Sequence, residues 1–273
     1  AEDTCKRVME AAARLKYRPN ILVKGILSGK TRTAGVMIPP TATFMSKIIH
    51  GIHDELLSAN YAMFLSWNDK EIASSDDDTE LRIIHQLVDR RVDGIILRPT
   101  NDLVSGMYFN EIWERKLPLI LVDRDIPEVS TDFIGTDDNA SGVYIASKFI
   151  ELEHHNICTF GVGITVNSFR ERVNGFESTL AKDPSITYTR IVENELATAE
   201  EKLRSLITKK DHPTAIFCMN DYYAVSAYRI IKEAGLKIPD DVSVFGFADI
   251  EHAELMSPPL TTMRQFPYEI GKQ

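Results

Sequence analysis

Gly161-Val162-Gly163 follows a strand-like run and could open a phosphate-binding turn. No third glycine completes the dinucleotide fingerprint, whose glycines let backbone approach a pyrophosphate. The pairs His53-Asp54 and His154-His155 have the types for a general base or a metal ligand. Each sits in a helical pattern or at its end among charged neighbours, the setting of solvated surface histidines. Asp76-Asp77-Asp78 resembles an acidic site but reads as a helix N-terminus, where carboxylates suit the dipole. No glycine-rich loop ending in Lys-Ser/Thr is present, nor Gly-x-Ser-x-Gly, nor His-Glu-x-x-His. Cys5, Cys158 and Cys218 are odd in number and widely spaced, so they suggest no disulfide framework or metal pair. They read as small buried hydrophobes in a reducing cytoplasm. Neither an enzyme, a metal centre nor a cofactor is expected.

The elements that could hold a binding function are better marked. Residues 1–33 carry eight basic side chains and three acids, a net of +5, which leaves −14 on the rest of a chain whose overall charge is −9. A cationic arm on an acidic body is the asymmetry of a protein that meets phosphate at one end; a solvated basic helix face would give the same charges. The apolar runs Gly94–Leu97 and Leu117–Val122 are strand-sized, far short of the roughly 18 residues of a membrane span. The start is charged from Glu2 onward and lacks the apolar core of a signal peptide, so a cytoplasmic protein is expected.

Val8, Met9, Ala12 and Leu15 recur at helical spacing over residues 2–16. Pro19 ends that pattern, and Asn20 can cap a short second helix to about Leu27, weakened by Gly25. From Ala34 strand and helix signals alternate. Strands are expected at 34–38, 62–66, 94–98, 117–123, 133–134, 157–161, 189–192, 215–219 and 242–247. Helices are expected at 44–59, 77–90, 140–152, 170–180, 199–209 and 223–234. Short apolar strands separated by helices predict an α/β protein with parallel sheets covered on both faces. Nine strands suit two doubly wound lobes, with ligand bound in the crevice at the strand carboxyl ends.

Several punctuating motifs then stand in order: Tyr17-Arg18-Pro19-Asn20, Arg90-Arg91-Val92-Asp93-Gly94, Asp123-Arg124-Asp125, Arg170-Glu171-Arg172, Asn220-Asp221 and Pro258-Pro259-Leu260-Thr261-Thr262. Together they resemble the lactose-repressor family of bacterial transcription regulators nearly end to end. The resemblance implies a periplasmic-binding-protein-like body, a carbohydrate-class small-molecule effector, a homodimer, operator DNA as partner of the full-length protein, and no membrane. It divides the chain into a remnant of the DNA-binding head plus hinge at 1–32, lobe one at 33–136 and 263–273, and lobe two at 137–262. On that footing Ile26 would be the wedge of a minor-groove hinge helix capped at Asn20, with Arg18, Lys24 and Lys30 on phosphates. Taken alone, Ile26 reads as a helix-packing residue. With most of the head absent, the chain as given is not expected to recognise an operator.

The same resemblance places the effector against Phe44, Met45, Trp67, Asn68, Arg98, Asp123, Arg170 and Asn220, a set whose aromatic walls and bidentate groups suit a polyol. Arg170 and Asp123 could instead form a structural salt bridge, Trp67 could simply pack, and Asp221 reads as a helix cap. Two positions depart from the family pattern: Ala248 replaces an aspartate that grips the effector, and Leu196 an aromatic that stacks on it. Arg98, Arg124 and Arg170 lean towards an anionic effector. A sugar receptor of the same fold would carry a signal peptide and no basic hinge, and a doubly wound enzyme would carry a phosphate loop.

Overall fold

The computed structural model describes residues 2–17, 29–40, 42–67, 78–99, 107–163 and 166–273. The expected hinge helix with Arg18, Asn20, Lys24 and Ile26, and the pocket candidate Asn68, lie outside these residues. Helix α1 (Glu2–Arg14) forms where the spacing predicts it. Its apolar side chains are exposed, Val8 by 60% and Met9 by 67%, and Cys5 is exposed with them, correcting the expectation of a buried thiol. Periodicity gives a helix its apolar stripe but not the partner that covers it.

From Thr33 the chain builds two sheets of five parallel strands. The first holds β1 (Thr33–Met37), β2 (Ala62–Ser66), β3 (Gly94–Leu97), β4 (Leu119–Val122) and β5 (Asp132–Ile134) in the order β2-β1-β3-β4-β5. The second holds β6 (Asn156–Val162), β7 (Thr187–Glu193), β8 (Ala215–Cys218), β9 (Ser243–Ala248) and β10 (Thr261–Arg264) in the order β10-β9-β8-β6-β7. Strand order reverses between β1 and β3 and again between β6 and β8, so each sheet has a switch point where loops part and a crevice opens. Strand β10 has no apolar alternation to announce it. Only its register against β9, with Met263 beside Phe247, reveals it, and the expected boundary at 262 falls inside it.

Helices α2 (Thr43–Ser58) and α9 (Pro267–Lys272) cover one face of the first sheet, with Ile48, Ile52 and Ile270 on Val36 and Val122. On the other face α3 (Asp78–Asp89) and α4 (Met107–Glu114) set Ile84, Leu87, Phe109 and Ile112 against Met37, Ile95 and Leu97. The second sheet is covered by α5 (Asp138–Glu151) and α6 (Asn167–Leu180) on one side and by α7 (Leu196–Ile207) and α8 (Asp221–Glu233) on the other. Side chains alternate between the two cores as a strand requires: Ala215 and Phe217 towards α5 and α6, Ile216 and Cys218 towards α7 and α8. The sequence patterns had not marked α4 or α9. Helix α9 is six residues long and starts on Pro267, whose fixed φ suits a first helical position.

Both units close on glycine contacts between helices. A Cβ on Gly142 of α5 would sit 2.0 Å from the Arg172 carbonyl oxygen of α6, and one on Gly175 2.1 Å from that of Asn139. In the first unit, a Cβ on Gly271 of α9 would come 2.1 Å from the Ile48 carbonyl oxygen of α2. The chain thus returns to the first unit after β10, and the two crossing segments are tied where the Gln265 amide donates to Thr136 Oγ1 at 2.8 Å. Among the described residues no helix is long and apolar enough to cross a membrane.

Candidate functional site

Parallel sheets direct their carboxyl-terminal loops and helix N-termini to one edge, and here the two edges face each other across a cavity of about 540 Å³. Six expected residues line it: Phe44 and Met45 from the start of α2, Arg98 after β3, Asp123 after β4, Asn220 before α8 and Ala248 at the end of β9. Polar contacts among the described residues cross between the units: Asn167 Nδ2 donates to Asp125 Oδ1 at 2.7 Å, and Lys47 Nζ lies 3.4 Å from Glu251 Oε1.

The remaining candidates sit elsewhere. Trp67 is 43% exposed and Leu196 37% exposed, and neither lines the cavity. Arg170 does not line it either; its guanidinium donates to Asn167 Oδ1 one helical turn back at 2.5 Å. The arginine that reaches the cavity is Arg172. Two residues along a helix is a rotation of roughly 200°, so the two arginines occupy opposite faces of α6. Lys30, the described member of the hinge set, lies beyond the amino end of β1 and not in the cavity lining.

Arg172 is 3% exposed, and three of its five N–H groups are held by protein acceptors. Its Nη2 lies 2.6 Å from Asp138 Oδ1 and its Nε 2.9 Å from the same oxygen, while Nη1 donates to the Met219 carbonyl. Its plane lies over the Phe247 ring, 3.3 Å from the centroid. Burial pushes the Asp138 carboxyl up to about 6, against the pull of the Arg172 guanidinium. Across the cavity Arg98 Nε donates to Asp123 Oδ2 at 2.7 Å with both side chains largely buried. At the mouth Arg264 Nε meets Asp249 Oδ2 at 2.5 Å. Arg98, Arg172 and Arg264 therefore each bring a carboxylate partner, while Arg124 also lines the cavity.

Asn220, not Asp221, caps α8: its Oδ1 accepts from the Tyr222 amide at 2.9 Å. That oxygen keeps a second lone pair, so Asn220 can offer a ligand both an acceptor and the Nδ2 donors. Asp221 is fully buried and accepts from the Ile250 amide at 2.9 Å and from Thr262 Oγ1 at 2.7 Å, fastening the β9 loop and β10 to α8. Burial raises its pKa, with those hydrogen bonds opposing. Gly246 leaves room for it, since a Cβ there would sit 2.2 Å from Asp221 Oδ1. Sequence reasoning also missed Phe169, Tyr222 and Phe266, which supply aromatic lining beside Phe44.

Backbone strain gathers here. Asp123 has φ +65°, Asp249 +57° and Ala248 +121°, the last a region that a Cβ disfavours. Replacing Ala248 with glycine is expected to raise stability by about 1 kcal/mol, the relieved strain exceeding the added chain entropy. A lowered thermal midpoint in the Ala248→Gly variant would overturn this.

Of the two histidine pairs, His53 and His155 are exposed and His154 is half-buried, in line with the surface reading. His154 Nδ1 is 3.0 Å from Thr214 Oγ1, His155 Nδ1 is 3.2 Å from Ser185 Oγ, and His53 is exposed beside Asp54. Among the described residues no cluster could hold a metal ion.

A family model described as a periplasmic binding protein-like domain matches residues 146–273. The HTH-type transcriptional repressor PurR of Photobacterium profundum is 31% identical over the whole chain, which covers 81% of that protein. Among solved structures, a LacI family transcriptional regulator from Enterococcus faecalis with bound ribose is 29% identical, with a TM-score of 0.71, covering 88% of this chain and 86% of that one. A second from Enterococcus faecium, also with bound ribose, is 27% identical at the same TM-score and coverage.

Proposed function

Since the chain belongs to the LacI family of transcription repressors, we propose that its body binds a neutral sugar in the inter-unit cavity and that this binding controls docking of residues 18–32 on operator DNA. The observation that carries the reading is the cavity's composition. Aromatic side chains wall it, and Asp123, Arg98, Arg172 and Asn220 present fixed donors and acceptors from both units. That is what a polyol needs: ring faces on apolar surface and hydroxyls on groups that both give and take hydrogen bonds. The ribose bound in the two Enterococcus relatives supports the carbohydrate class. The carboxylate partners of Arg98, Arg172 and Arg264 favour an uncharged sugar over a phosphorylated one, because at those three an anion would have to compete with carboxylates already in place.

In this reading the effector domain comprises lobe one, 33–136 and 263–273, and lobe two, 137–262, and works as a homodimer. Arg18, Asn20, Lys24, Ile26 and Lys30 form the DNA-docking hinge. Thermal melting against a panel of pentoses and hexoses, with ribose as the reference, tests it. A sugar at 100 times its dissociation constant should add about 2.7 kcal/mol of stability, and Asp123→Ala should abolish the shift. A panel in which no sugar raises the midpoint, or in which phosphorylated sugars raise it more, would sink the proposal.

A further inference from the structure

The chain enters β1 through a contact that neither the sugar cavity nor the core explains. The Asp93 carboxylate, on the turn that leads into β3, accepts from the Thr31 amide at 2.8 Å and from Thr31 Oγ1 at 3.0 Å on Oδ1, and from the Arg32 amide at 2.9 Å on Oδ2. Thr31 Oγ1 also lies 2.7 Å from the Arg91 carbonyl oxygen, so its single proton is shared between that oxygen and the carboxylate, and the Asp93 amide donates to the Thr33 carbonyl at 2.8 Å. Against the upward push of burial, the Tyr61 hydroxyl, at the amino end of β2, lies near enough to help hold the Asp93 carboxyl below its ordinary range together with the Thr31 and Arg32 amides. Arg32 itself stands at φ +51°, so the backbone turns sharply there. Two consecutive amides gripped by one carboxylate leave the segment before β1 a single direction of exit. Charge-assisted bonds to backbone N–H groups are the strong kind.

We propose that Asp93 is a positioning residue for DNA docking: it fixes the point and angle at which residues 1–30 leave the first unit, so that movement of that unit when sugar binds is carried into the DNA-facing arm. The proposal rests on the reading of residues 18–32 as that arm. Asp93 lies at the amino end of β3 and the cavity at the carboxyl ends of the strands, so Asp93 touches no effector. Its loss should therefore separate two properties that unfolding would lose together.

The test is Asp93→Ala and the milder Asp93→Asn, which keeps an acceptor for Thr31 and loses the one for Arg32. Amide exchange of Thr31 and Arg32 is expected to quicken at least tenfold in Asp93→Ala and less in Asp93→Asn. Operator duplexes are enriched from a random pool by the full-length wild-type protein. Their affinity should fall at least tenfold in Asp93→Ala, with Asp93→Asn between, while the melting shift given by ribose stays within about a third of the wild-type value. Unchanged exchange in Asp93→Ala overturns the anchor. So does a parallel loss of the ribose shift and DNA affinity in both variants, since that marks a purely structural role. Should the wild-type protein enrich no duplex, the DNA-docking reading has failed, and the coupling role proposed for Asp93 falls with it even if exchange shows the local grip.

Discussion

Arg172→Ala is expected to destabilise the protein by about 3–5 kcal/mol and to abolish the sugar response. The reason lies less in what the guanidinium contributes than in what its removal strands. Asp138 is buried at the start of α5, and its Oδ1 takes two bonds from Arg172. The Met219 carbonyl and the face of Phe247 lose their partner in the same step. The pH dependence should expose the mechanism. Burial already holds the Asp138 carboxyl near 6, above its unfolded value of 3.8. Without the guanidinium it rises further. A folded state that binds the proton more tightly than the unfolded state loses stability as pH rises between the two values. The variant should therefore be weakest at neutral pH and partly recover towards pH 5, measured by denaturant melts at both. The double variant Arg172→Met with Asp138→Asn should regain most of the stability while remaining without a sugar response. If Arg172→Ala melts within 1 kcal/mol of wild type at pH 7, the pair is not the keystone described.

Gly142→Ala should cost about 3 kcal/mol or more, although alanine is the better helix former by about 1 kcal/mol. The added carbon would lie 2.0 Å from the Arg172 carbonyl oxygen and 2.8 Å from the Phe176 amide nitrogen, both backbone atoms that no rotamer can move. Helices α5 and α6 must separate, and the shift acts on the residue whose side chain is fixed by Asp138. Sugar affinity should thus fall along with stability. Gly235→Ala is the control: nothing lies within 4 Å of its Cβ, and only its φ of +79° resists, so its cost should be smaller and its sugar response intact. Equal losses in the two variants, read from chemical denaturation, would remove the helix contact as the cause.

The alternation of strands and helices was legible because parallel strands buried on both faces read as short apolar runs, and nine of them stand where the sequence predicts. Strand β10 was not, since Thr261-Thr262-Met263-Arg264 has neither an apolar run nor an alternation and is held by its neighbour. Of the site, Phe44, Met45, Arg98, Asp123, Asn220 and Ala248, singled out by the family resemblance, line the cavity. These residues sit at strand ends or helix starts, positions that the element pattern itself marks.

The misplacements share one cause. Arg170-Glu171-Arg172 offers two arginines, and nothing within the motif says which faces inward. That choice is made by Asp138 and Met219, 34 and 47 residues away along the chain. Asn220 and Asp221 likewise exchange the roles of cap and buried fastener because Thr262 and the Ile250 amide arrive from β10 and the β9 loop. By itself the sequence determined the α/β class, the paired sheets, the basic arm and the strand-end loops, all set by local periodicity and charge. The tertiary structure alone decided which arginine of that motif reaches the cavity, that Arg98, Arg172 and Arg264 come already paired with carboxylates, and that Asp93 grips Thr31 and Arg32. Each of those turns on a buried polar group finding its partner across the fold, where an unpaired charge would cost several kcal/mol.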